Sequence, residues 1–243
     1  LATGPTGSGK TTTLYSALRG LNQTGNKNLT VEGPVEYDIE GILQVQTNAL
    51  IGLDFARALR AFLRHDPDKI LLGEIRDAET ARIAVRASLT GHMVFSSLHT
   101  NDAPGAMTRF VDMGVEPYMV AASLVAVLAQ RLLRRVDPPQ CEAYRPEDFE
   151  LEQLGCSRTD VGEGPFYRPI PVAGNSDAGY RGRVGLYEFI RVNDSLREAI
   201  TALSSHGDLT RLAEAQGMRN LRSDGLRALK AGLVSTEEVL RYT

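Results

Sequence analysis

The feature that most constrains this chain is a glycine-rich run near its first residue. Residues 4–11, with the sequence GPTGSGKT, fit the pattern G-x-x-x-x-G-K-[ST]. The run lies after Leu1-Ala2-Thr3, which is typical of a strand end, and before a stretch typical of a helix. In a loop of this kind the backbone N–H groups face a phosphate, the lysine reaches the β and γ phosphates, and the threonine binds Mg²⁺. The motif therefore predicts a site for ATP and Mg²⁺ formed by Gly4, Pro5, Thr6, Gly7, Ser8, Gly9, Lys10, Thr11 and Thr12.

The rest of the chain alternates between helix-like and strand-like segments. Apolar spacing predicts helices over residues 10–21, 54–64, 78–89, 104–113 and 118–135, and strands over 29–31, 69–73 and 93–98. This alternation predicts an α/β fold with a mainly parallel sheet, a RecA-like P-loop core over residues 1–136. Proline and glycine crowd residues 137–183, which predicts a loop-rich region, and short helices are predicted in a C-terminal subdomain, 184–243. Because the first strand lacks its beginning, we expect a piece of a longer protein.

Composition excludes several other classes of protein. The net charge of −3 and the pI near 5.9 argue against nucleic acid as a partner. The two cysteines, Cys141 and Cys156, are too few for a disulfide framework or a four-cysteine zinc site. The longest apolar run, residues 118–129, is shorter than the 18 or more residues that a membrane span needs. These features predict a cytoplasmic chain.

Acidic residues follow two of the predicted strands. Glu74 comes after the apolar run 70–73, where an acid could hold the magnesium shell together with Thr11. Glu32 and Glu36 follow the strand at 29–31, and hydrolysis needs one carboxylate to activate the attacking water. Spacing alone does not choose between these two glutamates.

Histidines and arginines supply candidate auxiliary groups. His92 and His99 flank the strand at 93–98, and either could sense the γ phosphate. Arg57, Arg60 and Arg64 are spaced so that they share one face of the predicted helix. The alternatives are a structural, hydrogen-bonded histidine and a solvated basic face.

Four segments together resemble the secretion ATPase family of type II secretion and type IV pilus assembly, the GspE, PilB and PilT group. GPTGSGKTTTLY is similar to its Walker A segment, VEGPVEY to its Asp box, ILLGEIRD to its Walker B segment and LTGHMVFSSLHTND to its His box. The resemblance covers nearly the whole chain. It implies that Glu36 activates water, that Glu74 is the Walker B acid and that His99 senses the nucleotide. The segment GYRGRVGLYE is more similar to the assembly motors than to the retraction motor.

The resemblance also implies partners and a place in the cell. Members act as homo-oligomers, and a hexameric ring is expected here. They work with platform proteins on the cytoplasmic face of the bacterial inner membrane, largely through an N-terminal region that this sequence does not contain. We expect a motor of type II secretion that assembles a pseudopilus, with type IV pilus assembly as the alternative.

Two departures from the family pattern bear on activity. The family usually has EDPVE in its Asp box, and Gly33 replaces the aspartate here, which removes one carboxylate near the nucleotide. A four-cysteine zinc motif is common between LAQRL and GYRGR, but here Asp137, Val172 and Asn175 stand at or near cysteine positions and Cys141 is offset. We therefore predict no zinc in residues 137–183. A second class of function follows from these departures, a nucleotide-binding scaffold with weak or no hydrolysis.

Overall fold

A computed structural model describes all residues from 1 to 243. The chain forms two compact units, each built from two stretches of sequence. Unit 1 comprises Leu1–Ala129 and Phe189–Met218, and unit 2 comprises Gln130–Glu188 and Arg219–Thr243. The division of the sequence at 136/137 and 183/184 stays a prediction.

Unit 1 contains the alternating strands and helices that the sequence predicts. In chain order its elements are β1 (Ala2–Thr3), α1 (Lys10–Gly20), β2 (Asn28–Glu32), β3 (Leu43–Gln46), α2 (Phe55–Phe62), β4 (Lys69–Leu72), α3 (Ala78–Leu89), β5 (Met93–Leu98), α4 (Ala103–Asp112), α5 (Pro117–Ser123), the start of β6 (Ala126–Val136), the end of β9 (Tyr180–Arg191), α8 (Asp194–Thr201) and α9 (His206–Ala215). A short 3₁₀ helix at Ala49–Ile51 precedes α2.

The strands form a seven-stranded sheet in the order β3-β2-β4-β5-β1-β6-β9. β1 pairs in parallel with β5 and β6, β2 with β3 and β4, and β4 with β5. Every residue of β2 is buried, as expected for a strand covered on both faces of its sheet. The predicted α/β fold with a mainly parallel sheet is confirmed.

Three helices of unit 1 begin at an aspartate that follows a strand or loop. Asp54, Asp77 and Asp102 each accept a hydrogen bond from the backbone N–H three residues later, at the start of α2, α3 and α4. Such capping satisfies one of the N–H groups that the first turn of a helix leaves free. The observed bounds of α3 agree with the predicted ones, and α2 ends at Phe62, before the predicted end at residue 64.

The predicted helix over residues 118–135 is wrong. α5 ends at Ser123, and β6 runs from Ala126 to Val136. The apolar run suits a buried helix and a buried strand equally, so periodicity could not separate them. The position next to β1 decides the outcome, because Leu128 and Ala129 pair with Ala2 and Thr3. Tertiary pairing here overrides the helix preference of leucine and alanine.

Unit 2 has more regular structure than the expected loop-rich region suggests. Its elements are the remainder of β6 and the first part of β9 together with β7 (Cys141–Ala143), α6 (Asp148–Leu154), α7 (Arg158–Val161), β8 (Tyr167–Pro169), α10 (Leu221–Lys230) and α11 (Thr236–Tyr242). β7 and β8 pair antiparallel as a separate two-stranded sheet. Ser235 caps α11 by accepting a hydrogen bond from the N–H of Glu238.

A buried ion pair ties the segments of unit 2 together. Glu238 is fully buried. Its carboxylate accepts three hydrogen bonds from Arg134: from the backbone N–H (2.8 Å), from the side-chain Nε (3.0 Å) and from the side-chain Nη2 (2.7 Å). The same guanidinium donates to the carbonyl of Ser176 (2.6 Å) and lies 4.0 Å from the centre of the Tyr180 ring. We call Arg134, Glu238, Ser176 and Tyr180 the arginine node. It holds the loop before β9 to the strand and helix that carry its two charges.

The cysteines of unit 2 interact with backbone carbonyls. Cys141 Sγ donates to the carbonyl of Gly179 (3.2 Å), and Cys156 Sγ donates to that of Leu151 (3.6 Å). Burial raises the pKa of both thiols. Val172 and Asn175 form a backbone bridge across a tight turn. No group of three or more His, Cys, Asp or Glu side chains is arranged to hold a metal ion.

The helices are short and mixed in polarity. None of them has the length and apolar character that crossing a membrane would require.

Candidate functional site

The carboxyl ends of four parallel strands of unit 1 lie at one edge of the sheet. β1 leads into the glycine-rich loop, β2 into the segment with Glu36, β4 into Glu74 and β5 into His99. The register brings Thr3 beside Leu98 and Leu72 beside Ser96. Ligands of open α/β sheets bind at this edge. The fold therefore gathers most of the predicted site residues in one place.

The loop between β1 and α1 has the geometry of a phosphate cradle. Gly7 (φ +79°) and Gly9 (φ +87°) adopt the left-handed backbone region, which a residue with Cβ enters only at a cost. Lys10 is buried, and its Nζ donates to the carbonyls of Gly4 (2.8 Å) and Pro5 (2.9 Å). The ammonium is thus held inside the loop by the loop's own backbone.

Three further observations fit a phosphate ligand with Mg²⁺ at this loop. No side chain caps α1, and the start of a helix favours an anion. Ser8 is 3 % exposed, and its hydroxyl has no hydrogen-bond partner. Thr11 and Thr12 are exposed at the start of α1, where a hydroxyl can reach a metal bound to phosphate.

Glu74 lies in a cluster of charged groups beside the loop. Its carboxylate Oε2 is 2.6 Å from Arg76 Nε and 3.4 Å from His99 Nε2. The Glu74 side chain is only 14 % exposed, whereas the side chains of Arg76 (70 %) and His99 (46 %) reach solvent. The neighbouring Glu74 carboxylate raises the pKa of the Arg76 guanidinium. Glu74 thus forms an ion pair with Arg76, although the Glu74 side chain itself is largely buried.

Hydroxyl contacts fix the turn that carries His99. The hydroxyl oxygens of Thr3 and Thr100 are 2.7 Å apart, and the Thr3 hydroxyl also accepts the backbone N–H of Thr100 (2.9 Å). Asp102 then caps α4, and His206 Nε2 from α9 lies 3.0 Å from both of its carboxylate oxygens. The end of β1 and the end of β5 are therefore linked just before the glycine-rich loop begins.

Glu32 at the end of β2 and Glu36 in the segment after it occupy different environments. Glu32 is 2 % exposed, and its carboxylate accepts hydrogen bonds from the hydroxyls of Tyr15 and Thr30 and from Gln44 Nε2 (3.1 Å). Glu36 has an exposed side chain, and its backbone N–H donates to the Tyr15 hydroxyl (3.2 Å). Of the alternatives that the sequence left open, only Glu36 offers a carboxylate to solvent.

Gly33 lies between these glutamates in a confined place. A Cβ at this position would be 2.8 Å from Thr47 Oγ1 and 3.4 Å from Phe55 Cζ. A side chain at Gly33 would therefore require Thr47 to change its rotamer.

The remaining predicted auxiliary residues have other partners. His92 lies before the amino end of β5, at the opposite edge of the sheet, and its Nδ1 is 3.0 Å from the carbonyl of Ala87. Arg57 donates to the carbonyls of Ile51 and Gly52 (both 3.3 Å), Arg60 pairs with Glu79, and Arg64 is exposed beyond the end of α2. The structure thus does not bring these side chains together with the glycine-rich loop.

Sequence reasoning missed two residues of this site. Tyr15 lies in α1 and contacts both Glu32, the last residue of β2, and Glu36. Its signal was its place five residues after Lys10, which puts both residues in the first turns of one helix. Gln44 lies in β3, a strand that the sequence analysis did not predict.

Sequence comparison places the chain among secretion and pilus proteins. A family profile described as Type II/IV secretion system protein matches residues 1–241. The chain is 50% identical over its whole length to type II secretion system protein E of Xanthomonas campestris and covers 43% of that protein. It is 49% identical over its whole length to the type IV pilus assembly ATPase PilB of Myxococcus xanthus and again covers 43%.

Solved structures resemble the fold as well. The pilus retraction motor PilT, solved with bound ADP, superposes with a TM-score of 0.72 at 29% sequence identity, and all of this chain matches 60% of that one. The chain therefore spans about half the length of the relatives it matches. The family profile matches nearly the entire sequence, and the site has a glycine-rich loop at the sheet edge with acids after β2 and β4. The chain belongs to the Type II/IV secretion system protein family.

Proposed function

We propose that this chain binds MgATP at the loop between β1 and α1 and hydrolyses it within a motor for type II secretion or type IV pilus assembly. The observation that carries the proposal is the position of Lys10, held inside a loop at the sheet edge where Glu36, Glu74 and His99 also lie. The family membership supports the same reaction class, since the named relatives include a pilus assembly ATPase.

Each group has a distinct task in this proposal. Lys10 and the N–H groups at the start of α1 bind the phosphates, and Lys10 exchanges its two loop carbonyls for phosphate oxygens. Thr11 and Glu74 hold the magnesium shell. Mg²⁺, when bound, supplies positive charge that stabilises the charge developing on the transferred phosphoryl group.

Glu36 activates the attacking water as a general base. A base must offer a carboxylate to water, and the Glu36 side chain is exposed. Glu32 does not qualify, because both of its oxygens accept hydrogen bonds from buried donors. His99 lies 3.4 Å from Glu74 and is proposed to respond to the γ phosphate through that contact.

The assembly proposed for the chain follows from its relatives. We infer a homo-oligomer, expected to be a hexameric ring, on the cytoplasmic face of the bacterial inner membrane with secretion or pilus platform proteins as partners. Identities of 50% to a type II secretion protein and 49% to a pilus assembly ATPase do not separate these two machines. Type II secretion is the leading proposal and pilus assembly the alternative.

Phosphate release from MgATP, measured across a series of protein concentrations, tests the proposal. We expect specific activity that rises with concentration, no activity in Lys10→Ala, and at least a 100-fold loss in Glu36→Gln with ATP binding retained. Parental turnover in Glu36→Gln would refute the base assignment. Tight ATP binding with no phosphate release at any concentration would instead favour a nucleotide-binding scaffold, the second candidate, to which Gly33 points.

A further inference from the structure

We infer that the buried Tyr15 and Glu32 and the half-buried Gln44 form a hydrogen-bonded clamp that positions the segment carrying Glu36 relative to the helix that begins with Lys10. We call these three residues the Tyr15 clamp. The inference rests on the proposed function, in which Glu36 is the water-activating base. Tyr15 is then a positioning residue for hydrolysis, since it acts through Glu36 and not on the nucleotide.

Tyr15 joins two parts of the site directly. It lies on α1, five residues after Lys10, and is 1 % exposed. Its hydroxyl donates to the Glu32 carboxylate and accepts the backbone N–H of Glu36 (3.2 Å). One side chain of the phosphate-binding helix therefore holds the backbone of the proposed base.

Gln44 holds the same segment from the other side. Its Nε2 donates to Glu32 Oε1 (3.1 Å) and to the carbonyl of Tyr37 (3.2 Å), and its Oε1 accepts the N–H of Ile39 (2.6 Å). Residues 35–39 have no helix or strand structure, so no ladder of backbone hydrogen bonds fixes them. Three backbone groups at Glu36, Tyr37 and Ile39 are held instead by Tyr15 and Gln44.

Burial of Glu32 is the costly part of this arrangement. A carboxylate removed from water destabilises a protein unless hydrogen bonds compensate it, and an apolar side chain could fill the same space without that cost. Desolvation, followed by the hydrogen bond to Glu32, raises the pKa of Tyr15, so its hydroxyl keeps the proton that it donates. The bonds that Tyr15 and Gln44 make beyond Glu32 converge on the short segment around one exposed acid. We therefore assign to the Tyr15 clamp the role of positioning Glu36, which explains why a carboxylate is buried next to this segment.

Tyr15→Phe separates this role from simple packing, because it removes one hydroxyl and keeps the ring. In the intact protein we expect kcat to fall by roughly 10- to 100-fold, as for a catalytic group displaced by about 1 Å. The affinity for a fluorescent ATP analogue should change less than about threefold, because Lys10 and its loop are untouched. Gln44→Met, which removes the three hydrogen bonds of the Gln44 side chain and keeps its volume, should lower kcat in the same way. Tyr118→Phe, at an exposed tyrosine on α5, is the matched control and should leave kcat unchanged.

A double variant distinguishes positioning from general damage. If Tyr15 acts through Glu36, adding Tyr15→Phe to Glu36→Gln should lower the residual rate no further. A tenfold or larger additional loss would overturn the inference. An unchanged kcat in Tyr15→Phe would also overturn it, whatever Glu36→Gln does.

Hydrogen exchange gives a readout that does not depend on turnover. Peptides that include residues 34–40 should exchange faster in Tyr15→Phe than in the parent, because the Glu36 N–H loses its acceptor. Unchanged exchange would overturn the clamp even if the ATPase proposal holds. A parent without hydrolysis would refute the proposed function and the catalytic part of the inference together, and exchange would still decide whether the clamp holds the segment.

Discussion

Replacing Arg134 by methionine would leave the carboxylate of Glu238 without its counter-ion inside unit 2. Glu238 is 0 % exposed, and two nitrogens of the Arg134 guanidinium donate to it. The backbone N–H of residue 134 would remain as a donor, so one of these three hydrogen bonds would survive. Methionine keeps most of the aliphatic length and thus removes mainly the charge.

The burial of the Arg134–Glu238 pair sets how much stability Arg134→Met should lose. Removing one partner of a buried ion pair destabilises a protein by about 3–5 kcal/mol, because the other charge stays buried and uncompensated. Arg145 and Glu163 provide an exposed pair in the same unit, with side chains 75 % and 86 % exposed. Losing that pair should cost less than about 1 kcal/mol. Arg145→Met is therefore a matched control with the same substitution.

Urea unfolding followed by circular dichroism, with hydrogen exchange to identify peptides of unit 2, measures the difference. With an m-value of about 1.5 kcal/mol per molar, a loss of about 3 kcal/mol lowers the midpoint of unit 2 by about 2 M in Arg134→Met. The midpoint in Arg145→Met should move by less than about 0.7 M on the same scale. Equal shifts in the two variants would refute the reasoning that burial of Glu238 sets the cost.

Three further predictions concern the candidate site and the zinc question. Gly33→Asp should raise turnover, and Gly33→Ala should not. Both variants should lose about 1–3 kcal/mol of stability because Thr47 must move. An equal rise in turnover in the two variants would show that the carboxylate is not the cause. His99→Ala should lower kcat/KM by about tenfold in a phosphate-release assay, and His92→Ala should leave it unchanged because His92 lies at the other edge of the sheet. A zinc chelator should leave the urea midpoint of unit 2 unchanged within error, since the arginine node is made of side chains and a backbone carbonyl. A lower midpoint after chelation would reveal a metal.

The elements predictable from the sequence are those with strong local signals. The observed bounds of α3 and β5 agree with the predictions: Asp77 caps the start of α3, and Gly91 precedes β5 in a turn. The glycine-rich loop was predictable since its residue types and spacing form a local motif between a strand and a helix. These features depend on a few neighbouring residues and on no distant partner.

Features that depend on distant partners were not predictable. β3 is a partly exposed edge strand with polar residues at two of its four positions, and it exists because β2 lies beside it. β6 looked like a helix because its partner β1 lies more than a hundred residues earlier. Spacing did not choose between Glu32 and Glu36, although the family resemblance implied Glu36; burial and hydrogen bonding distinguish these two acids, which lie four residues apart.

The interleaving of the two units limits how the chain can be cut. The polypeptide passes between units at residues 129/130, 188/189 and 218/219, so no single cleavage releases either unit whole. A fragment ending before residue 189 would lack α8 and α9, and with them the buried side chains of Leu196 and Leu209. The hydrogen bond from Arg197 Nε to the carbonyl of Ala121 (3.2 Å) on α5 would also be lost. A boundary drawn at residue 184 would thus remove part of unit 1, and a boundary at residue 218 would remove α10 and α11 from unit 2, so expression trials should keep residues 1–243 together.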